Sequence, residues 1–212
     1  MKLMIAGLVA MLALPGVARA QSMSMSESNG YVEVVGQSAF GNVTSQSFGL
    51  EGGVNLNEKL AVFAEFGMVR DTAPKSIGPA AQLIAVTLGA GSSYTVKQPV
   101  GFGQVGVRDT LPMDGKFHPY IAIGGGLAKL KHDVAFSVNG TDVTDKLSTY
   151  GVVLGTDLAG TVSKGMFTGG AGVVYDVTKT IIAEANYRFS RIMTDNSGTN
   201  LNRVGAGIGI RF

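Results

Sequence analysis

From position 47 onward, several stretches of the chain carry an apolar residue at every second position. Phe48, Leu50, Gly52, Val54 and Leu56 alternate with Ser47, Gly49, Glu51, Gly53 and Asn55. Leu60, Val62, Ala64, Phe66 and Met68 alternate with Ala61, Phe63, Glu65, Gly67 and Val69. The same period governs 167–176, 181–190 and 203–212, where Val204, Ala206, Ile208, Ile210 and Phe212 alternate with Arg203, Gly205, Gly207, Gly209 and Arg211. A period of two is the mark of a strand, here with one apolar face and one face of small or charged residues. Three further strands are less regular. They cover 31–40, where Val34 and Val35 are adjacent; 94–109, where the phase breaks near 101–104 and predicts a bulge; and 117–131. The pattern predicts eight strands, each long enough for a tilted crossing of a bilayer, which takes about 9–11 residues.

The connections alternate in length. Tight turns are expected at 57–59, 110–116 and 177–179, and loops at 41–45, 71–93, 132–163 and 193–200. Short turns at one end and longer loops at the other fit an all-β, eight-stranded antiparallel up-and-down transmembrane β-barrel, with the turns inside and the loops outside. Two apolar runs lie within the long loops, Leu83 to Leu88 and Tyr150 to Leu158. Each can be a short helix, an extension of the wall or an extra strand. Promoting both to strands gives ten and moves 132–149 to the turn side, so eight is the expected number.

Composition sharpens this picture. Charged residues make up only 15% of the chain, and 31 of its 212 residues are glycine, against usual values of about 25% and about 7%. The uncharged stretch 76–96 is interrupted by Pro79, Gln82, Gly89 and Gly91, too broken for the roughly 20 apolar residues of a spanning helix. A closed barrel is the other way across a membrane. At the N-terminus, Lys2, the apolar run Leu3 to Leu14 and Ala18-Arg19-Ala20 read as a cleaved secretory signal peptide over 1–20, leaving 21–212 as the mature barrel domain. The absence of cysteine excludes disulfide, thiolate and lipoprotein chemistry. A net charge of +2 without a basic block gives no footprint for nucleic acid.

The small-residue faces carry the candidate chemistry. Glu51, Glu65, Glu184, Arg188, Arg203 and Arg211 fall on the inward phase, and Glu33 and Arg108 lie in the stretches of less regular phase. An eight-stranded barrel is just wide enough for side chains to fill it. The expectation is a network of paired charges in the lumen, since a conducting pore would favour one sign of charge and a wider bore. Phe66, Tyr120, Phe167, Tyr175, Tyr187, Phe189 and Phe212 are expected outward, as aromatic girdles. Catalysis, cofactor and metal have little support. The two histidines, His118 and His132, belong to no ligand cluster, and Asp142, Asp145 and Asp157 lack calcium-loop spacing. His132 with Ser137 has no activating motif, so no enzyme is expected. Lys129 and Lys131, just above the membrane, are candidates for lipopolysaccharide phosphates.

His118-Pro119-Tyr120 followed by Gly124-Gly125-Gly126, then Gly172 to Thr178, Ala183 to Phe189 and Gly205 to Phe212, together resemble the strands of small bacterial outer-membrane barrels of the OmpA/OmpX/OmpW-like, porin-family group. The resemblance covers the mature chain. It implies a Gram-negative outer-membrane location among outer-membrane lipid and lipopolysaccharide. It also implies a terminal assembly signal, Ile208, Ile210 and Phe212, read by the barrel-assembly machinery. No peptidoglycan-binding domain is expected after the barrel. The expected role is structural or surface-interactive, with the lumen plugged by charged side chains. The alternative is a narrow channel or lateral transporter for small or apolar molecules, as in the OmpW-like barrels, with the apolar loop segments lining an upper pocket.

Overall fold

The computed structural model describes residues 29–73, 77–111, 113–155, 158–193 and 198–212; the expected signal peptide at 1–20 lies outside them. In chain order the strands are β1 (Gly30–Phe40), β2 (Ser45–Asn55), β3 (Leu60–Val69), β4 (Ser92–Lys97), β5 (Val100–Thr110), β6 (Phe117–Val138), β7 (Thr141–Asp142), β8 (Ala159–Asp176), β9 (Ile181–Ile192) and β10 (Thr199–Arg211). Helix α1 (Ile77–Leu88) precedes β4, and a 3-10 turn spans Thr144–Tyr150. Eight strands close a ring in the order β6-β5-β3-β2-β1-β10-β9-β8 and back to β6, every pair antiparallel. β4 and β7 lie outside the ring, both paired to the far end of β6. No helix among the described residues is long and apolar enough to cross a membrane.

The seam between the first and last strands runs unbroken from Tyr31↔Arg211 to Phe40↔Asn202. Phe212 completes it: its N–H donates to the Gly30 carbonyl (3.0 Å), and its own carbonyl accepts from Asn29 (2.6 Å) and Gly30 (3.0 Å). Closure leaves no unpaired strand edge in the ring. Two tight turns use one device. The Asn57 side chain accepts from the N–H groups of Lys59 (2.9 Å) and Leu60 (2.8 Å), and the Thr178 hydroxyl accepts from those of Thr180 (3.2 Å) and Ile181 (2.9 Å). Short side-chain acceptors of this kind stand in for a backbone turn bond.

Three expectations change. The stretch read as one strand over 94–109 is two strands, β4 and β5, on one partner. The pairing offset is the same on both sides of the break, Lys97↔Asp133 and Val100↔Leu130. Pro99, which has no N–H for the ladder, sits at the interruption. There is no bulge at 101–104, because β3 and β5 pair continuously from Leu60↔Asp109 to Val69↔Val100. The phase looked broken because Gly101 and Gly103 face out while Phe102 and Gln104 are buried inside.

The 132–163 segment is also shorter as a loop than expected. β6 runs on to Val138 and β8 begins at Ala159, so the wall continues upward on that side as Asp133↔Ala159, Lys97↔Asp133 and Ser92↔Val138. Of the two apolar runs, Leu83 to Leu88 is helical, within α1. Its buried residues Ile77, Ala81, Ala85 and Leu88 recur at the three- and four-residue spacing of a helix face. Tyr150 ends the 3-10 turn, and the described residues from Gly151 to Gly155 form no strand. The ring therefore has eight strands and not ten.

Side chains fill the interior in layers. Near the tight-turn end lie Tyr31, Ala61, Phe63, Tyr120, Ala122, Val174 and Ile182. A charged layer follows at mid-height. Above it Ala39, Val69, Val100, Phe102, Ala128, Leu130, Met166, Ile192 and Leu201 make an apolar layer contributed by seven of the eight ring strands. Beyond the ring, α1 packs its buried face onto Val134, Phe136, Val143, Leu147 and Leu158 as a small separate core. Glycines make room for the large inward residues. A Cβ on Gly172 would come within 2.6 Å of the Tyr120 hydroxyl, and one on Gly67 within 2.5 Å of the Phe102 ring. The outer wall is apolar: Val34, Phe48, Val54, Phe66, Ile123, Leu127, Ile208 and Phe212 are all exposed on it.

Candidate functional site

The charged layer is built from six ring strands. β1 supplies Glu33, β2 Glu51, β3 Glu65, β5 Arg108, β9 Glu184 and Arg188, and β10 Arg203. All seven are buried, none more than 4% exposed. Strand register places like charges side by side. Glu33 lies opposite Glu51, Glu51 opposite Glu65, and Arg188 opposite Arg203. Like charges directly opposite are destabilising, so each must find its partner across the interior.

The side chains do this. Arg108 Nη2 lies 3.3 Å from Glu33 Oε1, 2.6 Å from Glu51 Oε1 and 2.9 Å from Glu184 Oε2. Arg188 bridges Glu51 Oε2 (2.5 Å) and Glu65 Oε2 (3.0 Å). Arg203 Nη1 pairs with Glu65 Oε1 at 2.9 Å. Neutral groups complete the network. The Tyr31 hydroxyl donates to Glu51 (2.7 Å) and that of Tyr120 to Glu184 (2.8 Å). The Asn186 amide donates to Glu184 (2.5 Å), the Gln37 amide to Asn186 (2.7 Å), and Gln104 to Glu65. The guanidiniums also lie over rings: Arg108 over Tyr120 and Tyr31 at 4.0 and 4.7 Å, Arg203 over Phe102 at 4.4 Å and Arg188 over Phe63 at 5.3 Å. An arginine is attracted to such ring faces.

Of the residues expected in this network, Glu51, Glu65, Glu184, Arg188 and Arg203 come together, and Glu33 and Arg108 join them. Arg211 does not. It is the last inward position of β10 and lies at the tight-turn mouth, where its Nη2 pairs with Asp176 Oδ1 at 3.0 Å. His118 Nε2 meets the other oxygen of that carboxylate at 2.9 Å. These rim groups frame a recess of about 200 Å³ that leads down to Arg108.

Tyr120, expected in an outward girdle, points inward and is 2% exposed. Its neighbours Ile121 and Ile123 are the outward pair, and their alternation carries the signal that places it. Phe66, Phe167, Tyr187 and Phe212 are exposed on the outer wall, while Tyr175 and Phe189 are half-buried. Phe117 joins them, its ring 4.9 Å from that of Tyr175. Tyr31, Gln37, Gln104 and Asn186 were missed as network members. Only their inward parity marked them, since uncharged residues do not draw the eye in a charge count.

His132 and Ser137 lie an odd number of residues apart on β6, and so on opposite faces of the strand; Ser137 shares a 2.8 Å hydrogen bond with Ser93. Lys129 and Lys131 face outward near the loop end, with Lys131 3.5 Å from Asp133. Ile208, Ile210 and Phe212 are exposed on the outer wall.

No protein-family model matches the chain, and no curated protein matches it. Solved structures do. Neisserial surface protein A aligns with a TM-score of 0.56 and 14% identity, over 87% of this chain and 98% of that one. Ail, the attachment invasion locus protein of Yersinia pestis, gives 0.49 and 14% over 88% and 100%. The N-terminal β-barrel domain of Pseudomonas aeruginosa OprF gives 0.47 and 16% over 87% and 98%. At such identities the likeness is one of backbone, and the first of these carries it. With its closed ring and its alternating turns and loops, the chain has the fold of the small eight-stranded outer-membrane β-barrels.

Proposed function

We propose that the protein is an integral outer-membrane barrel of a Gram-negative cell, closed to solutes, whose role is structural or lies in what its loop end presents. The observation that carries this is the sequence of layers inside. A solute entering from the tight-turn side would have to displace paired charges around Arg108, Arg188 and Arg203. It would then meet an apolar layer that includes Val69, Val100, Leu130 and Ile192, none of them more than 1% exposed. Breaking a buried ion pair costs several kcal/mol, and an apolar layer offers nothing to a hydrated ion.

The apolar outer wall supports a lipid environment and disfavours a soluble periplasmic barrel. In this placement the tight turns face the periplasm and α1 the exterior, Lys129 and Lys131 reach lipopolysaccharide phosphates, and the assembly machinery reads Phe212. No catalytic step is part of the proposed role. The narrow-channel or lateral-transporter alternative would use the loop-end apolar segments as a lining. Against it, Ala81, Ala85, Leu88, Phe136 and Leu147 are already packed on one another.

Solute efflux from proteoliposomes tests the closed interior. Vesicles containing the protein should release a trapped small sugar no faster than empty ones, and a release that scales with protein content would overturn the proposal. For location, the protein should fractionate with the outer membrane and show heat-modifiable mobility on a gel. Deleting Phe212 should lower the amount of assembled barrel; an unchanged amount would remove the assembly-signal role.

A further inference from the structure

Beside the loop-end core lies a recess of about 630 Å³ between α1 and the start of β4, unconnected to the charged layer. Its lining includes Gln82, Ala85, Val86, Ser92, Ser93 and Tyr94. The recess is shallow and open to solvent, so a ligand there would be held from one side.

The recess has a definite chemistry. The chain carries no charged residue from position 76 to 96, so its lining is neutral. The Ala85 and Val86 side chains give an apolar floor. Tyr94 lies at the edge with about a third of its surface exposed, and the amide of Gln82 is exposed beside it. Ser92, on the same face of β4 as Tyr94, donates its hydroxyl proton to the Ala85 carbonyl, and its oxygen keeps lone pairs that can accept from a ligand. The lip is held firmly: the Asn139 N–H donates to the Gly91 carbonyl at 2.9 Å, closing the turn before β4 against the end of β6.

From this we infer that the recess is a binding site for a neutral carbohydrate. A sugar ring offers an apolar C–H face, which suits the Tyr94 ring and the alanine and valine floor. Its rim of hydroxyls suits the Gln82 amide and the Ser92 oxygen. A sulfated or phosphorylated ligand would lose hydration without meeting a counter-charge. An acyl chain would bury the Gln82 amide and the Ser92 oxygen without replacing their hydrogen bonds, which is costly. The inference deepens the surface-interaction role and rests on α1 facing the cell exterior. Two sources share the chemistry: the core sugars of the cell's own lipopolysaccharide, and glycans from outside.

The experiment uses the full-length mature barrel refolded without lipopolysaccharide, in nanodiscs, titrated by NMR. The probes are lactose, maltose, methyl glucoside, a neutral outer-core oligosaccharide of the cell's own lipopolysaccharide, a sulfated disaccharide and an uncharged apolar peptide. At least one neutral sugar should give saturable shifts at the backbone amides of 82–94, with a Kd on the order of 1 mM. Tyr94→Ala should weaken that binding about tenfold, equivalent to about 1.4 kcal/mol, while Tyr94→Phe, which keeps the ring, should stay within about twofold, with heat-modifiable mobility unchanged in both. Preference for the core oligosaccharide assigns the site to the cell's own surface, and preference for the other sugars to an external glycan.

No saturable shift from any neutral probe would overturn the inference. So would tighter binding of the sulfated sugar or the peptide, or a Tyr94→Ala protein that binds unchanged. The placement is checked separately. The chain has no natural cysteine, so an Ala80→Cys protein, altered on the exposed side of α1, can be labelled with an impermeant maleimide on intact cells. Labelling without sugar binding refutes the site alone, and labelling only after lysis refutes the external placement.

Discussion

The barrel interior and the loop-end core are built on opposite plans. In the ring, apolar side chains cover the outside, a layer of buried charges lies between two apolar layers inside, and the register of a closed sheet fixes every position. In the loop-end core, α1 and the tip of β6 bury apolar residues in the ordinary way, and only local packing holds them. The ring cannot shift one pair without disturbing the seam from Tyr31↔Arg211 to Phe40↔Asn202. The core under α1 can loosen while the ring below keeps all its ladders. The difference teaches where a substitution will be felt: throughout the barrel if it touches the ring interior, and locally if it touches the cap.

The largest effect should come from Arg108→Met. It removes the guanidinium that pairs with Glu33 and Glu184, and leaves Glu184 with the neutral donors Tyr120 and Asn186 and Glu51 with Arg188 and the Tyr31 hydroxyl. Breaking a buried pair costs about 3–5 kcal/mol. Urea unfolding in lipid vesicles measures it, and Arg203→Met should cost clearly less, since Glu65 keeps Arg188 at 3.0 Å. Equal losses for the two would show that the network lacks the Arg108 centre described above. Next, Phe102→Ala removes a ring from the upper apolar layer and the cover over Arg203, with an expected loss of about 3 kcal/mol in the same assay.

A smaller effect is expected from Phe136→Ala in the loop-end core. Global unfolding should move by less than about 1 kcal/mol, because the cap opens as a unit of its own. Limited proteolysis within 139–158 should become faster, and a global loss as large as that of Phe102→Ala would erase the distinction between the two regions. The smallest effect concerns pH. The Thr144 side chain and backbone N–H, the latter at 2.8 Å, hold the Asp142 carboxyl below its ordinary range. A depressed carboxyl stabilises its turn above its unfolded pKa of about 3.9 and loses that contribution as pH falls. Protection of the Thr144 amide, with exchange corrected for its intrinsic pH dependence, should therefore be steady at neutral pH and fall only in acid, whereas Asp142→Asn should show no such acid step.

The contrast also explains what was legible in the sequence. β2, β3, β9 and β10 could be read residue by residue, because their outward faces are mostly apolar and their inward faces carry Glu, Arg and small residues around a few apolar ones such as Phe63, Val69 and Ile182. Glu51, Glu65, Glu184, Arg188 and Arg203 were placed by parity alone. The phase failed where the interior itself turns apolar: Phe102, inside the barrel, looks like a lipid-facing residue, and outward Gly101 and Gly103 look like inward ones. Tyr120 failed for the same reason, since an aromatic ring suits either face. Arg211 has inward parity but sits beyond the buried layer, and height along a strand is not written in alternation. The extension of β6 to Val138 was hidden because His132 and Asp133, just after Lys131, read as the start of a loop, although they only mark where the wall leaves the apolar zone.

Single-channel recording in a planar bilayer tests the closed interior most directly. Protein verified as folded by its heat-modifiable mobility should insert without conductance steps across the usual voltage range. Uniform, steady steps whose number grows with inserted protein would contradict it, and would mean that the charges around Arg108 line a path and do not fill one.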